Sequence, residues 1–345
     1  MADESYLRWL LAQTPTRWWH DSGDPFELDQ ALTDGASGVT TNPVLTNQAL
    51  RARPDYWQPV VGTIDPRLSS EERAIALMYA VAHHTAARLE PVYEATFGEQ
   101  GYVCAQVNPA KAGDRAAMLA MARRFHTWAP NIAVKLPVTS AGLDVLEDCV
   151  AEGITVTATV SFTVPQVVAV AERHLTGIQR ARDAGINPGH CFAVIMIGRL
   201  DDYLREAAAD NQVGVSESDI RQAGLAVTKR ACDVFTARRY PATLLVAALR
   251  GTYHMTGLAG ASIIMSIHPK IQAMLREPGV TRKAGIDQPV DPMVIQRLQQ
   301  MPDFVRAYEP DGMRPADFIT FGLTQRTLSQ FYDSAWVMLE SFNLF

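Results

Sequence analysis

The chain has 345 residues, 48% of them hydrophobic and 20% charged, enough apolar matter for one barrel-sized core or two smaller ones. A formal net charge of -6, with no block of Lys and Arg to neutralise phosphates, argues against a nucleic-acid partner. No apolar run reaches bilayer length, and the start Met1-Ala-Asp-Glu-Ser-Tyr6 lacks the basic and apolar regions of a signal peptide, so a cytoplasmic protein without a membrane partner is expected.

Short β-rich runs follow in chain order: Arg17 to His20, Ser37 to Thr41, Tyr102 to Val107, Ile132 to Leu136, Ile154 to Thr159, Phe192 to Ile197, Leu244 to Leu249 and Ala261 to Ser266. They are apolar throughout rather than alternating, as strands covered on both faces are. Between them lie helical patterns such as Gly142 to Gly153, amphipathic and closed by glycine. Pro43 to Gln100 and the tail from Ile286 to Phe345 are too long for simple connections and should hold extra helices. The alternation predicts a (β/α)8 TIM barrel with additional helices between strands 2 and 3 and at the C-terminus. No linker divides the chain, so residues 1–345 are expected to form a single domain. Periodicity alone leaves another α/β layout open, and the residues at the strand ends must decide.

Four cysteines, Cys104, Cys149, Cys191 and Cys232, stand far apart with no Cys-x-x-Cys pairing, which disfavours a zinc site or a disulfide framework. Lysine is rare: positions 111, 135, 229, 270 and 283 hold all of it. Lys135 sits inside the apolar run Asn131-Ile-Ala-Val-Lys-Leu-Pro137. Such a lysine either snorkels or pairs at a strand end, or serves as a Schiff-base nucleophile, because burial favours the free amine over the ammonium.

Its company discriminates between these. Gly38-Val-Thr-Thr-Asn-Pro43 ends the second run, Val134-Lys-Leu-Pro-Val-Thr-Ser-Ala-Gly-Leu143 surrounds the lysine, and Gly153-Ile-Thr-Val-Thr-Ala-Thr-Val-Ser-Phe162 follows. With Glu90-Pro-Val-Tyr-Glu-Ala-Thr96 and Gly198-Arg-Leu-Asp201, the sequence resembles the transaldolase family, class I aldolases on a (β/α)8 barrel, from about residue 16 to 270 and in family order. The resemblance implies a cofactor-free enzyme with no metal. It makes Lys135 the lysine that attacks the C2 carbonyl of a ketose, and Asp21, in Asp21-Ser-Gly-Asp24, the general acid/base on the C4 hydroxyl. Asn42, with Thr41 beside it, would bind the dihydroxyacetone part, and Arg199 with Arg250 would clamp a substrate phosphate. Guanidinium suits that task because it keeps its charge and offers a fork of donors.

The departures from the family pattern are equally specific. Gln106 stands where transaldolases carry a glutamate that, with a threonine matched here by Thr159, manages the catalytic water. A carboxamide holds water but does not shuttle a proton, and fructose 6-phosphate aldolases carry glutamine at this place. Thr157 replaces a second asparagine, Val194 a serine, Met196 an aromatic residue and Ala248 the serine beside the second arginine. Lost hydroxyl donors of this kind cost about 1–3 kcal/mol each when a buried partner goes unpaired.

The implied substrates are sugar phosphates of carbohydrate metabolism. The resemblance points to the pentose phosphate pathway, while the altered pocket suggests a substrate other than the one used in central sugar metabolism; a monomer or homodimer is expected. An aldolase releasing free dihydroxyacetone, and a catalytically silent sugar-phosphate-binding barrel, remain alternatives. His254 and His268 fall on the expected catalytic face, whereas His20 should point away from Asp21 by strand alternation. His83 and His84 have no second cluster at metal spacing. Trp18 and Trp19 should pack in the barrel wall. Gln330 to Phe345 reads as an apolar helix, with a lid or a subunit contact as alternatives to core packing.

Overall fold

In the computed structural model, which describes residues 5–343, eight strands pair in chain order: β1 (Arg17–His20), β2 (Gly38–Val39), β3 (Tyr102–Gln106), β4 (Ile132–Pro137), β5 (Val156–Thr159), β6 (Cys191–Met196), β7 (Thr243–Ala247) and β8 (Ile264–Ile267). Every pairing is parallel, and β8 returns to β1 to close a barrel wrapped by helices. This is the (β/α)8 TIM barrel that the alternating pattern predicts. Closure covers each strand on both faces, and β3, β4, β5 and β6 are buried along their whole length.

The strand boundaries move where turns claim the backbone. β2 is shorter than its apolar run because Asn42 already caps the helix Pro43–Ala52, its Oδ1 accepting the Leu45 N–H at 3.0 Å, with Pro43 in the first turn. β8 begins late because Ala261 is spent in the turn after the helix Thr252–Leu258, its N–H bonding the Leu258 carbonyl.

Side chains fill the barrel from below. The Trp19 ring meets Phe192 of β6 edge-on at 4.7 Å, and Tyr102 of β3 meets the same phenyl at 5.5 Å. Trp19 therefore lies across the interior rather than in the wall. A Cβ at Gly38 would fall 2.5 Å from the indole, so glycine in β2 is what lets the ring cross. Trp18 takes the opposite orientation by alternation.

Three helices, Pro43–Ala52, Pro54–Val61 and Ser70–Ala95, intervene between β2 and β3. The expected C-terminal helix is present, continuous over residues 322–340 with a π-helical turn at Tyr332–Trp336 inside it; the last two residues of the expected span lie outside the described residues. The wider turn lets Phe331 stay at the barrel mouth while Trp336 and Leu339 are buried below it. The last described residues then lie on the earlier insertion, with Arg73 donating to the Phe342 carbonyl at 2.7 Å and the Arg51 guanidinium 5.1 Å above the Phe342 ring. Among the described residues, no helix is long and apolar enough to cross a membrane.

Two histidines are locked inside as neutral rings. His20 accepts from Gln272 through Nδ1 at 2.9 Å, and His174 reaches the Gly189 carbonyl through Nε2 at 3.2 Å. Burial lowers each imidazole to about 4. The unfolded chain titrates near 6.5, so below that pH it binds protons that the folded state refuses. Stability is full above pH 6.5 and falls toward pH 4, by up to about 3 kcal/mol per pH unit for the two rings together. Urea unfolding at stepped pH should show this slope. His174→Gln, which keeps a donor for Gly189, should remove about half of it; an unchanged slope would exclude His174 as a source.

Candidate active site

The C-terminal strand ends surround a cavity of about 240 Å³. Strand register builds its first side. Gln106 of β3 pairs with Lys135 of β4, and Lys135 with Thr157 of β5, so three polar side chains share one row across the barrel. Lys135 is 6% exposed, and its Nζ lies 3.4 Å from the Thr41 carbonyl oxygen. Gln106 is buried beside it, and its Oε1 has no hydrogen-bond partner among the described residues. Cys104, on the same strand, touches the Thr157 hydroxyl at 3.4 Å. Burial pushes that thiol up more than Lys135 pulls it down, which leaves it a neutral filler rather than a rival nucleophile.

Asp21 stands at the end of β1. The Thr40 hydroxyl donates to its Oδ1 at 2.6 Å and lies 2.6 Å from the Ser266 hydroxyl of β8. Thr40 has one proton and gives it to the carboxylate, so Ser266 must donate to Thr40. The two hydroxyls form a relay that aims Asp21 across the cavity from Lys135.

The far side is cationic. Arg199 follows β6 in the first turn of the helix Ile197–Asp210, and Arg250 follows β7. Arg199 donates to Gln330 Oε1 at 2.6 Å and lies 5.1 Å over the Phe331 ring, so the C-terminal segment holds it. Burial, and then the neighbouring Arg250, lower its guanidinium from the ordinary value, which makes an incoming anion welcome there. Arg250 grips Asp202 Oδ2 through Nε at 2.9 Å and Nη2 at 2.7 Å. Its Nη1 bonds the Ala248 carbonyl at 2.9 Å. Ala248 is left-handed, φ +58°, and so turns that carbonyl back toward both Arg250 and the Gly198 N–H, 3.2 Å away.

Of the residues singled out from the sequence, Lys135, Asp21, Asn42, Thr157, Met196, Arg199 and Arg250 all line this one cavity. Asn42 spends its carbonyl oxygen on the helix cap, leaving its amide N–H groups as what it can offer inward. Thr41 does not line it: its hydroxyl bonds the Cys104 carbonyl at 2.5 Å, and Thr40 takes the inward place. Thr159 is buried with its hydroxyl 3.9 Å from Met196 Sδ, and neither it nor Gln106 reaches the cavity wall. His268 lines the cavity, whereas His254 is fully buried behind Arg250. His20 faces away from the cavity, as alternation requires.

Sequence reasoning missed Thr40, Ser266, Gln48 and Phe331. Counting alternate residues back from Asn42, beyond the end of β2, and from His268, just after β8, would have found the first two. Nothing local marks Phe331, which arrives from the C-terminal segment.

A family model described as Transaldolase/Fructose-6-phosphate aldolase matches residues 18–335. Transaldolase 1 of Streptomyces coelicolor is 30% identical over 209 residues, covering 59% of this chain and 54% of that protein. The transaldolase of Thermobifida fusca is 35% identical over 170 residues, 48% of this chain and 46% of its own length. That of Kocuria rhizophila is 29% identical over 242 residues, 64% of this chain and 65% of its own. The chain spans about half the length of the first curated relatives it matches.

One backbone position tests how tightly the cationic side is built. A Cβ at Gly198 would meet the Ala248 carbonyl oxygen at 2.3 Å and Arg250 Cγ at 2.5 Å. Gly198→Ala should therefore displace the segment after β7 and lower unfolding free energy by about 1–3 kcal/mol. Wild-type stability in urea would show that the contact is not tight.

Proposed function

The chain belongs to the transaldolase/fructose-6-phosphate aldolase family, and on that premise we propose that it transfers a dihydroxyacetone unit from a phosphorylated ketose to an aldehyde acceptor. The observation that carries the reading is a buried lysine amine facing a cavity that also presents one carboxylate and a pair of arginines.

The Lys135 amine adds to the C2 carbonyl of the ketose, and loss of water from the carbinolamine gives an iminium ion. Asp21, oriented by Thr40 and Ser266, takes the C4 hydroxyl proton. The C3–C4 bond breaks, its electron pair neutralises the iminium nitrogen as an enamine forms, and the aldehyde fragment leaves. The enamine carbon then attacks an acceptor aldehyde, whose new oxyanion takes the proton back from Asp21. Hydrolysis of the iminium restores the free lysine. Arg199 and Arg250 hold the phosphate, and Asn42 with Thr157 holds the three-carbon fragment. Thr159 and Gln106, close to the lysine row, position the water lost and regained. The same reading makes the protein a cytoplasmic, cofactor-free enzyme of a single domain that acts on sugar phosphates.

Gln106 favours a second reading. A carboxamide beside Lys135, with its Oε1 unpartnered, binds water without moving a proton. Such a site lends itself to aldol cleavage that releases free dihydroxyacetone. Assaying free dihydroxyacetone against acceptor-dependent sugar formation separates the two.

With fructose 6-phosphate as donor, borohydride should reduce the intermediate to a stable adduct on Lys135, located by peptide mass mapping. Lys135→Ala should lose both adduct and turnover while keeping its melting temperature; turnover that survives in this variant sinks the Schiff-base reading. Gln106→Glu should raise transfer over cleavage by about tenfold or more, as a restored proton carrier does. No gain would mean that water handling does not limit transfer.

A further inference from the structure

His254 is fully buried, and so is Asp201, its partner. Its Nδ1 accepts the Arg250 backbone N–H at 3.2 Å, and its Nε2 lies 3.0 Å from Asp201 Oδ2. A backbone N–H can only donate, so Nδ1 is bare and the ring proton sits on Nε2, directed at the carboxylate. The other oxygen of Asp201 accepts the Gly224 N–H at 2.8 Å, anchoring it to the helix Glu217–Arg238.

Asp201 lies two residues after Arg199 on the helix Ile197–Asp210. One imidazole therefore ties the helix that carries the first arginine to the backbone of the second. The next residue, Asp202, holds the Arg250 guanidinium itself. Arg250 is thus held at its guanidinium by Asp202 directly and at its backbone by Asp201 through His254, consecutive residues of the helix that bears Arg199. The segment needs such a fixing point, because left-handed Ala248 stands just before it. A buried carboxylate held only by one helix N–H and one imidazole is a costly way to gain stability alone, and it makes better sense as a means of setting distance.

We propose that His254, oriented by Asp201, is a positioning residue that fixes the spacing of Arg199 and Arg250 and so sets how tightly the site recognises the phosphate end of its substrate. The inference rests on the phosphate-clamp reading given above. It assigns His254 no contact with substrate and no proton transfer.

Two substitutions divide the imidazole's functions. His254→Gln places an amide near Nε2, keeping Asp201 partnered but removing the acceptor for Arg250. His254→Asn places its carbonyl oxygen near Nδ1, restoring that acceptor. Both would be compared with the wild type by borohydride trapping at graded fructose 6-phosphate, and at graded dihydroxyacetone, which has no phosphate. For fructose 6-phosphate the half-saturating concentration should rise about tenfold in His254→Gln and in His254→Asn alike, because each substitution breaks one end of the link between Asp201 and the Arg250 backbone, a change on the scale of one hydrogen bond. Dihydroxyacetone half-saturation and the maximal rate should stay put. An unchanged fructose 6-phosphate value in His254→Gln overturns the inference, and so does an equal shift for both sugars, which would mark a merely structural role. Should the wild type trap no fructose 6-phosphate, the donor reading fails, and the inorganic phosphate concentration that half-maximally raises the melting temperature becomes the measure. No rise in the wild type, or no change in His254→Gln, then overturns the inference too.

Discussion

The closed parallel ladder is the constraint from which the site follows. In a barrel whose strands all run the same way, register alone decides which side chains stand in one row at the C-terminal end, and no loop has to bring them together. The pairings Gln106 with Lys135 and Lys135 with Thr157 put the amine between two neutral polar groups on its own sheet. Trp19, Tyr102 and Phe192 pack against one another inside the barrel and give it an aromatic floor. The floor in turn depends on Gly38, which gives the indole room to cross.

Above the floor the cavity divides by strand. β1, β2 and β8 supply hydroxyls and a carboxylate through Asp21, Thr40 and Ser266, whereas β6 and β7 supply Val194, Met196, Leu245 and Ala247. Charge returns only past those strand ends, as Arg199 and Arg250. A ligand joining the amine to the arginines therefore crosses an apolar wall on one side and finds hydrogen-bond partners on the other. The wall penalises hydroxyls directed at it, since each would be desolvated without a partner.

Much of this was legible in the residues. Uniformly apolar runs marked the strands because closure buries both faces, and a lysine within one of them marked the centre. The family motifs at Asp21, Asn42, Arg199 and Arg250 then named residues that the fold brings to one cavity. Boundaries were less legible: a run such as Ser37 to Thr41 continues past β2 because a capping asparagine is as compatible with a strand end as with a helix start. Reading Thr41 rather than Thr40 as the inward residue is a slip of one place, which reverses the face of a strand residue. The C-terminal helix was legible, but its internal π turn was not. Its apolar pattern suits any helix, and the π turn answers to burying Trp336 while keeping Phe331 at the mouth, a demand set by elements far away in the chain.

The arginines show why such long-range features matter. Each is already engaged, Arg199 by a neutral carboxamide from the C-terminal segment and Arg250 by a carboxylate from its neighbour's helix. These partners are unequal. An anion reaching Arg199 replaces an uncharged acceptor and gains a charge-assisted bond, while at Arg250 it competes with Asp202 or shares the guanidinium's free edge with it. Gln330 takes only Nη1 of Arg199, so under the proposed reading a phosphate either displaces that carboxamide or adds to the remaining N–H groups, whereas Nε, Nη1 and Nη2 of Arg250 are all engaged. One cation is lightly engaged and the other is held at every nitrogen. The buried carboxylate and imidazole stand behind Arg250, the more heavily engaged of the two, and tie it to the helix that carries Arg199, so the spacing of the pair is set from the Arg250 side.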